Sequence, residues 1–182
     1  LSAICQLMTN GHTGAKLSPM TTTASHLPSA LVLADIQNLY HTARAAHQKN
    51  IDYNRLWADL SSRYEIVHAF AYAVDRGDAK QQQFQNILRA IGFTVRLKPF
   101  IQRADGSAKG DWDVGITIDA MEFGPEVDTV IVLSGDGDFA ILTEHLRKRN
   151  GNRIEVYSVE ALTAQSLIRT ADRYVPLAGF LL

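Results

Sequence analysis

Short apolar runs and amphipathic stretches alternate along the chain from residue 30 onward. "ALVLAD" (30–35) is an apolar run closed by an acid, and "IQNLYHTARAAHQKN" (36–50) has helical composition. "YNRLWADLSSR" (53–63) spaces Leu56, Trp57 and Leu60 for a second helix. "EIVHAFAYAV" (65–74) predicts a strand, with an apolar run too continuous for a sheet that has one wet face. "DAKQQQFQNILRAIG" (78–92) sets Phe84, Ile87, Leu88 and Ile91 on one helical face and stops at Gly92.

The alternation continues to the end. "FTVRLKPF" (93–100) predicts a strand and "IQRADGSAKG" (101–110) a loop. "DWDVGITIDAMEF" (111–123) predicts a helix from the spacing of Val114, Ile118 and Met121. "DTVIVLSGD" (128–136) is a strand, "DFAILTEHLRKRNG" (138–151) a helix stopped by Gly151, and "RIEVYSV" (153–159) a strand. "EALTAQSLIRTADR" (160–173) predicts a helix, and "YVPLAGFLL" (174–182) a short closing segment. Strands alternating with helices predict parallel β-α-β units. The expected fold is a three-layer α/β/α domain with a mainly parallel sheet of about five strands.

Composition adds boundaries. The chain has 182 residues, 46% of them hydrophobic and 20% charged, which suits one globular domain with its own core. Residues 1–29 stand apart, rich in Ser and Thr, with one Lys, no Arg and no acid. They lack the apolar core of a secretory signal and the arginines of a transit peptide, and read as a disordered leader before a domain spanning 30–182. The lone cysteine, Cys5, allows no disulfide within the chain, so a reducing, cytoplasmic compartment is expected. No apolar run reaches the ~18 residues of a membrane span. The net charge of −1 excludes a broad basic field but not a local basic groove.

The chemistry-bearing residues collect at strand ends. Asp35 closes the first strand, with Asn38 three residues on. Ser134, Asp136 and Asp138 stand at the end of the 128–136 strand. Asp111 and Asp113 open the 111–123 helix, and Asp119 lies later on it. Open α/β sheets bind ligands beyond the carboxyl ends of their strands, where strand order reverses. Each acid alone reads more readily as a helix cap worth ~1 kcal/mol, and mid-helix Asp119 as a solvated position. As a set they differ, because clustered carboxylates repel unless something cationic sits among them. The six histidines are scattered and no cysteine joins the group, so Mg²⁺ or Mn²⁺ fits better than zinc. Such sites serve phosphoryl transfer and phosphodiester hydrolysis.

"VLADIQNLY", "KGDWDVGITIDAM" and "VIVLSGDGDF" together resemble the three motifs of the NYN domain, and more narrowly the LabA-like group of the PIN-like nuclease superfamily. The resemblance runs from about Ala30 to Val175. It implies a PIN-like fold carrying an Asp-rich ribonuclease site that depends on Mg²⁺ or Mn²⁺. Carried over by position, the catalytic and metal-holding acids are Asp35, Asp113, Asp136 and Asp138, with Asn38 as a polar partner. Asp111 and Asp113 compete for the middle position; Asp113 directly precedes the "VGITID" helix, as in the family. Asp35, Asp113 and Asp136 would hold the ion directly or through its waters, and Asp138 would bind a second ion or orient the attacking water. Asn38 and Ser134 would contact a phosphate oxygen or a metal-bound water. Gly135 and Gly137 would let the backbone pass close to ion or substrate, or permit an unusual φ.

The implied partner is RNA, single-stranded or structured, and a homodimer is compatible with the sequence. An RNA path needs cations and stacking surfaces. The candidates are Arg103 and Lys109 in the loop before the acids, Arg96 and Lys98 on the preceding strand, and Trp112, which reads equally as core packing. The basic run at 147–149 complements the dipole of its own helix. A non-catalytic RNA- or protein-binding module on the same fold is the competing reading. A phosphatase or phosphoryl acceptor fits poorly, since "DIQNL" lacks Asp-x-Asp-x-Thr and "RLKPF" lacks an acceptor acid.

Overall fold

The computed structural model describes residues 26–99, 101–102, 108–109 and 111–182, with side chains described outside 100–110. The expected leader therefore falls almost wholly outside the described residues. Strand β1 (Ser29–Asp35) is buried along its whole length after the first residue. Ala30, Val32 and Ala34 join one apolar cluster, and Leu31 and Leu33 join another on the opposite face. Both faces are covered, which is why the sequence shows a continuous apolar run rather than an alternating one.

Helices α1 (Ile36–His47), α2 (Tyr53–Arg63) and α3 (Ala79–Ile91) cover the first face, contributing Leu39, Leu56, Leu60 and Leu88 to its core. Helices α4 (Asp113–Phe123), α5 (Phe139–Asn150) and α6 (Gln165–Thr170) cover the second, with Ile116, Phe139, Leu146 and Leu167. Asp35, Asp52 and Asp78 cap α1, α2 and α3. Each accepts a hydrogen bond from the backbone N–H three residues on, at 3.1, 3.0 and 2.8 Å. Such a cap contributes ~1 kcal/mol.

The main sheet is wholly parallel. The other strands are β2 (Glu65–Asp75), β3 (Thr94–Pro99), β6 (Thr129–Leu133), β7 (Arg153–Ser158) and β8 (Arg173–Pro176), in the order β3-β2-β1-β6-β7-β8. The sheet has six strands rather than about five. The extra one, β8, lies at an edge, is short and only partly buried, and so lacks an apolar signature. The helix expected over 160–173 is correspondingly broken: a 3-10 turn at 160–162, then α6, then β8. The expected loop 101–110 carries a small antiparallel hairpin, β4 (Ile101–Gln102) with β5 (Ala108–Lys109).

Helix α4 is rotated from its expected pose. Val114, Ile118 and Met121, whose spacing predicts the helix, face solvent, and Ile116, Asp119 and Ala120 are buried instead. Asp119 explains the rotation. It accepts a hydrogen bond from the Tyr72 hydroxyl at 2.7 Å and pairs with Arg96 Nε at 2.6 Å, with the Nε–H off the hydrogen-bond line. The expectation of a solvated Asp119 is thus overturned, because a charged residue can be drawn inward by partners far away in sequence.

A second buried acid, Glu155, lies toward the start of β7 and is fully shielded from solvent. Arg63, Arg153 and Arg173 approach it at 3.4, 3.6 and 3.9 Å. The hydroxyls of Tyr64 and Tyr157 also donate to it. Among the described residues no helix is long and apolar enough to cross a membrane.

Candidate metal centre

From β1 the chain runs to β2 on one side, and β6, β7 and β8 lie on the other, so strand order reverses between β1 and β6. That is where such sheets bind ligands, and the acids stand there. Asp35 ends β1 and is 9% exposed. Its Oδ1 accepts from Asn38 N, and the Ser134 hydroxyl reaches its Oδ2 at 3.4 Å. Beyond β6 the chain turns tightly. Asn38 Oδ1 accepts from Gly135 N at 3.0 Å, Ser134 Oγ accepts from Asp136 N at 3.2 Å, and Asp136 Oδ1 accepts from Asp138 N at 3.0 Å. The residues that would have met substrate on the sequence reading, Asn38 and Ser134, thus brace the turn. Ser134 is fully buried.

The two glycines of the turn answer to packing rather than to an unusual φ, since neither has a positive φ. A Cβ on Gly135 would lie 3.0 Å from Thr163 Oγ1 and 3.1 Å from the Leu162 carbonyl. One on Gly137 would lie 2.8 Å from Ala164 Cβ. The segment before α6 presses on the turn, and Ala164 N donates to Gly135 O at 3.1 Å.

Helix α4 brings its first residue, Asp113, to the same place. Oxygens of Asp113, Asp136 and Asp138 lie within 4.8 Å of one another. Asp111 is exposed and outside this group. Asp138 occupies the N-cap position of α5 but makes no side-chain cap bond, which leaves its carboxylate open toward the cluster. Asp35 stands beside the three rather than among them. Burial first, and then the charges of Asp113 and Asp136, push its carboxyl up to about 6, against the pull of the Asn38 N–H and Ser134. Asp113 is raised too, by burial and then by Asp136, Asp111 and Asp138.

Among the described residues cations are few near this edge. Lys98 donates to the Asp111 carbonyl at 2.8 Å and sits over the Trp112 ring at 4.5 Å. Trp112 donates to the Ala73 carbonyl at 2.9 Å and packs on Tyr72, which favours its reading as packing. Arg96 is engaged by Asp119 and lies over Phe70 at 4.4 Å, so it is withdrawn from any RNA path. Arg103 and the Lys109 side chain lie outside the described residues. At 147–149, Arg147 pairs with Asp172 and Lys148 with Glu144. One neighbour carried no sequence signal. Tyr53 is buried, and its hydroxyl is held above its usual range by burial and by the charge of Asp35.

A six-stranded parallel sheet with acids crowding its switch point is a PIN-like α/β/α domain. The chain belongs to the NYN domain family, whose model matches residues 29–178. It is 32% identical over 162 residues to the low amplitude and bright protein LabA of Synechococcus elongatus, covering 82% of this chain and 84% of that one. It is also similar to the crystal structure of a protein of unknown function from Vibrio parahaemolyticus. That likeness has a TM-score of 0.83 and 51% identity, and spans 87% of this chain and 99% of the other.

Proposed function

We propose that this chain is a ribonuclease dependent on Mg²⁺ or Mn²⁺, hydrolysing phosphodiester bonds at the edge of the sheet where β1 and β6 end. The observation that carries this reading is the Asp113, Asp136 and Asp138 group. Three carboxylates offer oxygens within 4.8 Å of one another, and none has an ion-pair partner among the described residues. A span of that size suits a shared hard cation with oxygen bonds of roughly 2.0–2.6 Å. The donor set is carboxylate only, which fits Mg²⁺ or Mn²⁺. Membership of the NYN family supports a nuclease-type hydrolase.

In this reading Asp113 and Asp136 hold the ion, with Asp35 as a further ligand directly or through a water. Asp138 holds a second ion or orients the attacking water. A bound ion would supply an activated water and neutralise charge developing on the phosphate. Ser134 and Asn38 act as positioning residues, because their hydrogen bonds fix the turn that presents Asp136. Lys98, beside Trp112, is the described cation best placed to meet an RNA phosphate.

The test is incubation of single-stranded and structured RNA with Mn²⁺ and either the wild-type or the Asp136→Asn protein. Cleavage should fall at least about 100-fold in the variant, as losing a metal ligand implies. Equal background cleavage by both proteins would favour the non-catalytic module instead.

A further inference from the structure

A cavity of about 650 Å³ opens between α1 and α3, above the ends of β1 and β2. Its size lies within the range of small-molecule sites, roughly 300–1,000 Å³. It adjoins the acids, since Ile36 and Gln37, the two residues after Asp35, form part of its wall. Aromatic rings contribute part of the rest, Tyr40, which is 54% exposed, and the Tyr53–Phe84 pair, whose centroids are 5.6 Å apart, beside aliphatic side chains and the charged Asp78 and Lys80.

Two largely buried residues, Gln85 and Tyr53, line the same space with side-chain polar groups that no described residue engages. Gln85 is 5% exposed, yet its side-chain amide bonds to no described residue. Tyr53 is 8% exposed, and its hydroxyl likewise finds no described partner. Neither polar group is sealed away from solvent, so both are open to the cavity they line and free to bond a ligand there. An amide that presents a donor and an acceptor side by side, in a cavity partly walled by aromatic rings, matches the edge and face of a nucleobase.

We infer that this cavity is a nucleobase subsite, taking one unpaired base of an RNA strand whose backbone crosses the acids. Tyr40 supplies the stacking face, and Gln85 with Tyr53 reads the base edge. The inference rests on the ribonuclease reading and extends it from the cleaved phosphate to the base beside it. Single-stranded RNA is recognised in this way because its bases are free to splay out and stack.

The test uses a single-stranded RNA hexamer containing one 2-aminopurine, titrated into the Asp136→Asn protein so that the strand is not consumed. Tyr40→Ala and Gln85→Leu are added separately to that background. Binding should quench the fluorophore, and each added substitution should weaken affinity about tenfold and reduce the quench, as losing a stacked or read base implies. Tyr40 is solvent-exposed, so its variant folds whatever happens at Gln85, and melting curves check both. RNA that is cleaved by the wild type, yet bound with unchanged affinity and quench in the cavity variants, would overturn the subsite and leave the ribonuclease reading intact. RNA that the wild type neither binds nor cleaves would overturn both.

Discussion

Glu155, toward the start of β7, and the acids beyond the ends of β1 and β6 belong to one sheet but live under opposite rules. Glu155 is buried among three arginines and two tyrosine hydroxyls, so its charge is met within the protein. Asp119 follows the same pattern with Arg96 and Tyr72. At the switch point Asp113, Asp136 and Asp138 face one another, with Asp35 alongside, and among the described residues none of the three has an ion-pair partner, the Lys98 charge offsetting only part of the repulsion at Asp113. Matched acids hold the fold together. Unmatched ones are a standing cost that an external cation can relieve.

The largest expected effect comes from breaking the matched side. Glu155→Ala should destabilise the protein by about 3–5 kcal/mol, because it leaves the buried Tyr64 and Tyr157 hydroxyls without their acceptor, at roughly 1–3 kcal/mol each, and opens a cavity in the core. Denaturant unfolding would measure the loss. A change below ~1 kcal/mol would mean that the arginines and tyrosines are content with solvent.

The unmatched side should respond in the other direction. Asp35 has a folded-state carboxyl raised to about 6 from 3.8, so the folded protein holds that proton more tightly than the unfolded chain does. Below pH ~4 both states are protonated and the group costs nothing. As pH rises from about 4 to 6 the unfolded chain ionises first and stability is lost, and above ~6 the loss is complete. Asp35→Asn should therefore stabilise the metal-free protein at pH 7.5 by about 3 kcal/mol, or roughly 6–12 °C in melting temperature. The gain should disappear toward pH 4. A variant that melts lower than wild type at pH 7.5 would show that Asp35 is matched after all.

Asp113→Asn sharpens the same contrast with a smaller effect. Its carboxyl is raised in the same direction, but it is only partly buried and lies in the first turn of α4, where the helix dipole favours a negative charge. Metal-free thermal melts at pH 7.5 should show a gain below that of Asp35→Asn. A larger gain would place the centre of repulsion on α4 rather than on β1.

The unmatched side was far more legible in the sequence than the matched one. Each acid of the cluster sits next to a local signal: the end of an apolar run, a tight turn, or the start of a helix. Strand alternation then placed "LADIQN" and "SGDGD" at one edge. Glu155 and Asp119 gave no such signal, because their partners lie up to 92 residues away and only the folded chain brings them close. The pose of α4 was hidden for the same reason. An apolar spacing announces a helix, but the Asp119 contacts decide which side turns inward. Strand β8 escaped because an edge strand with half-exposed residues carries no apolar run. The cavity beside Asp35 draws Tyr40, Tyr53 and Gln85 from three helices, and no local pattern joins them.

The central claim is that the unmatched acids form one cation site. Calorimetric titration of the metal-free protein with Mn²⁺ at pH 7.5 tests it most directly. Wild type should bind with a dissociation constant below about 1 mM. Asp136→Asn should weaken that binding at least about tenfold, and Tyr40→Ala should leave it unchanged. No binding by wild type in this range, or equal binding by Asp136→Asn, would contradict the account.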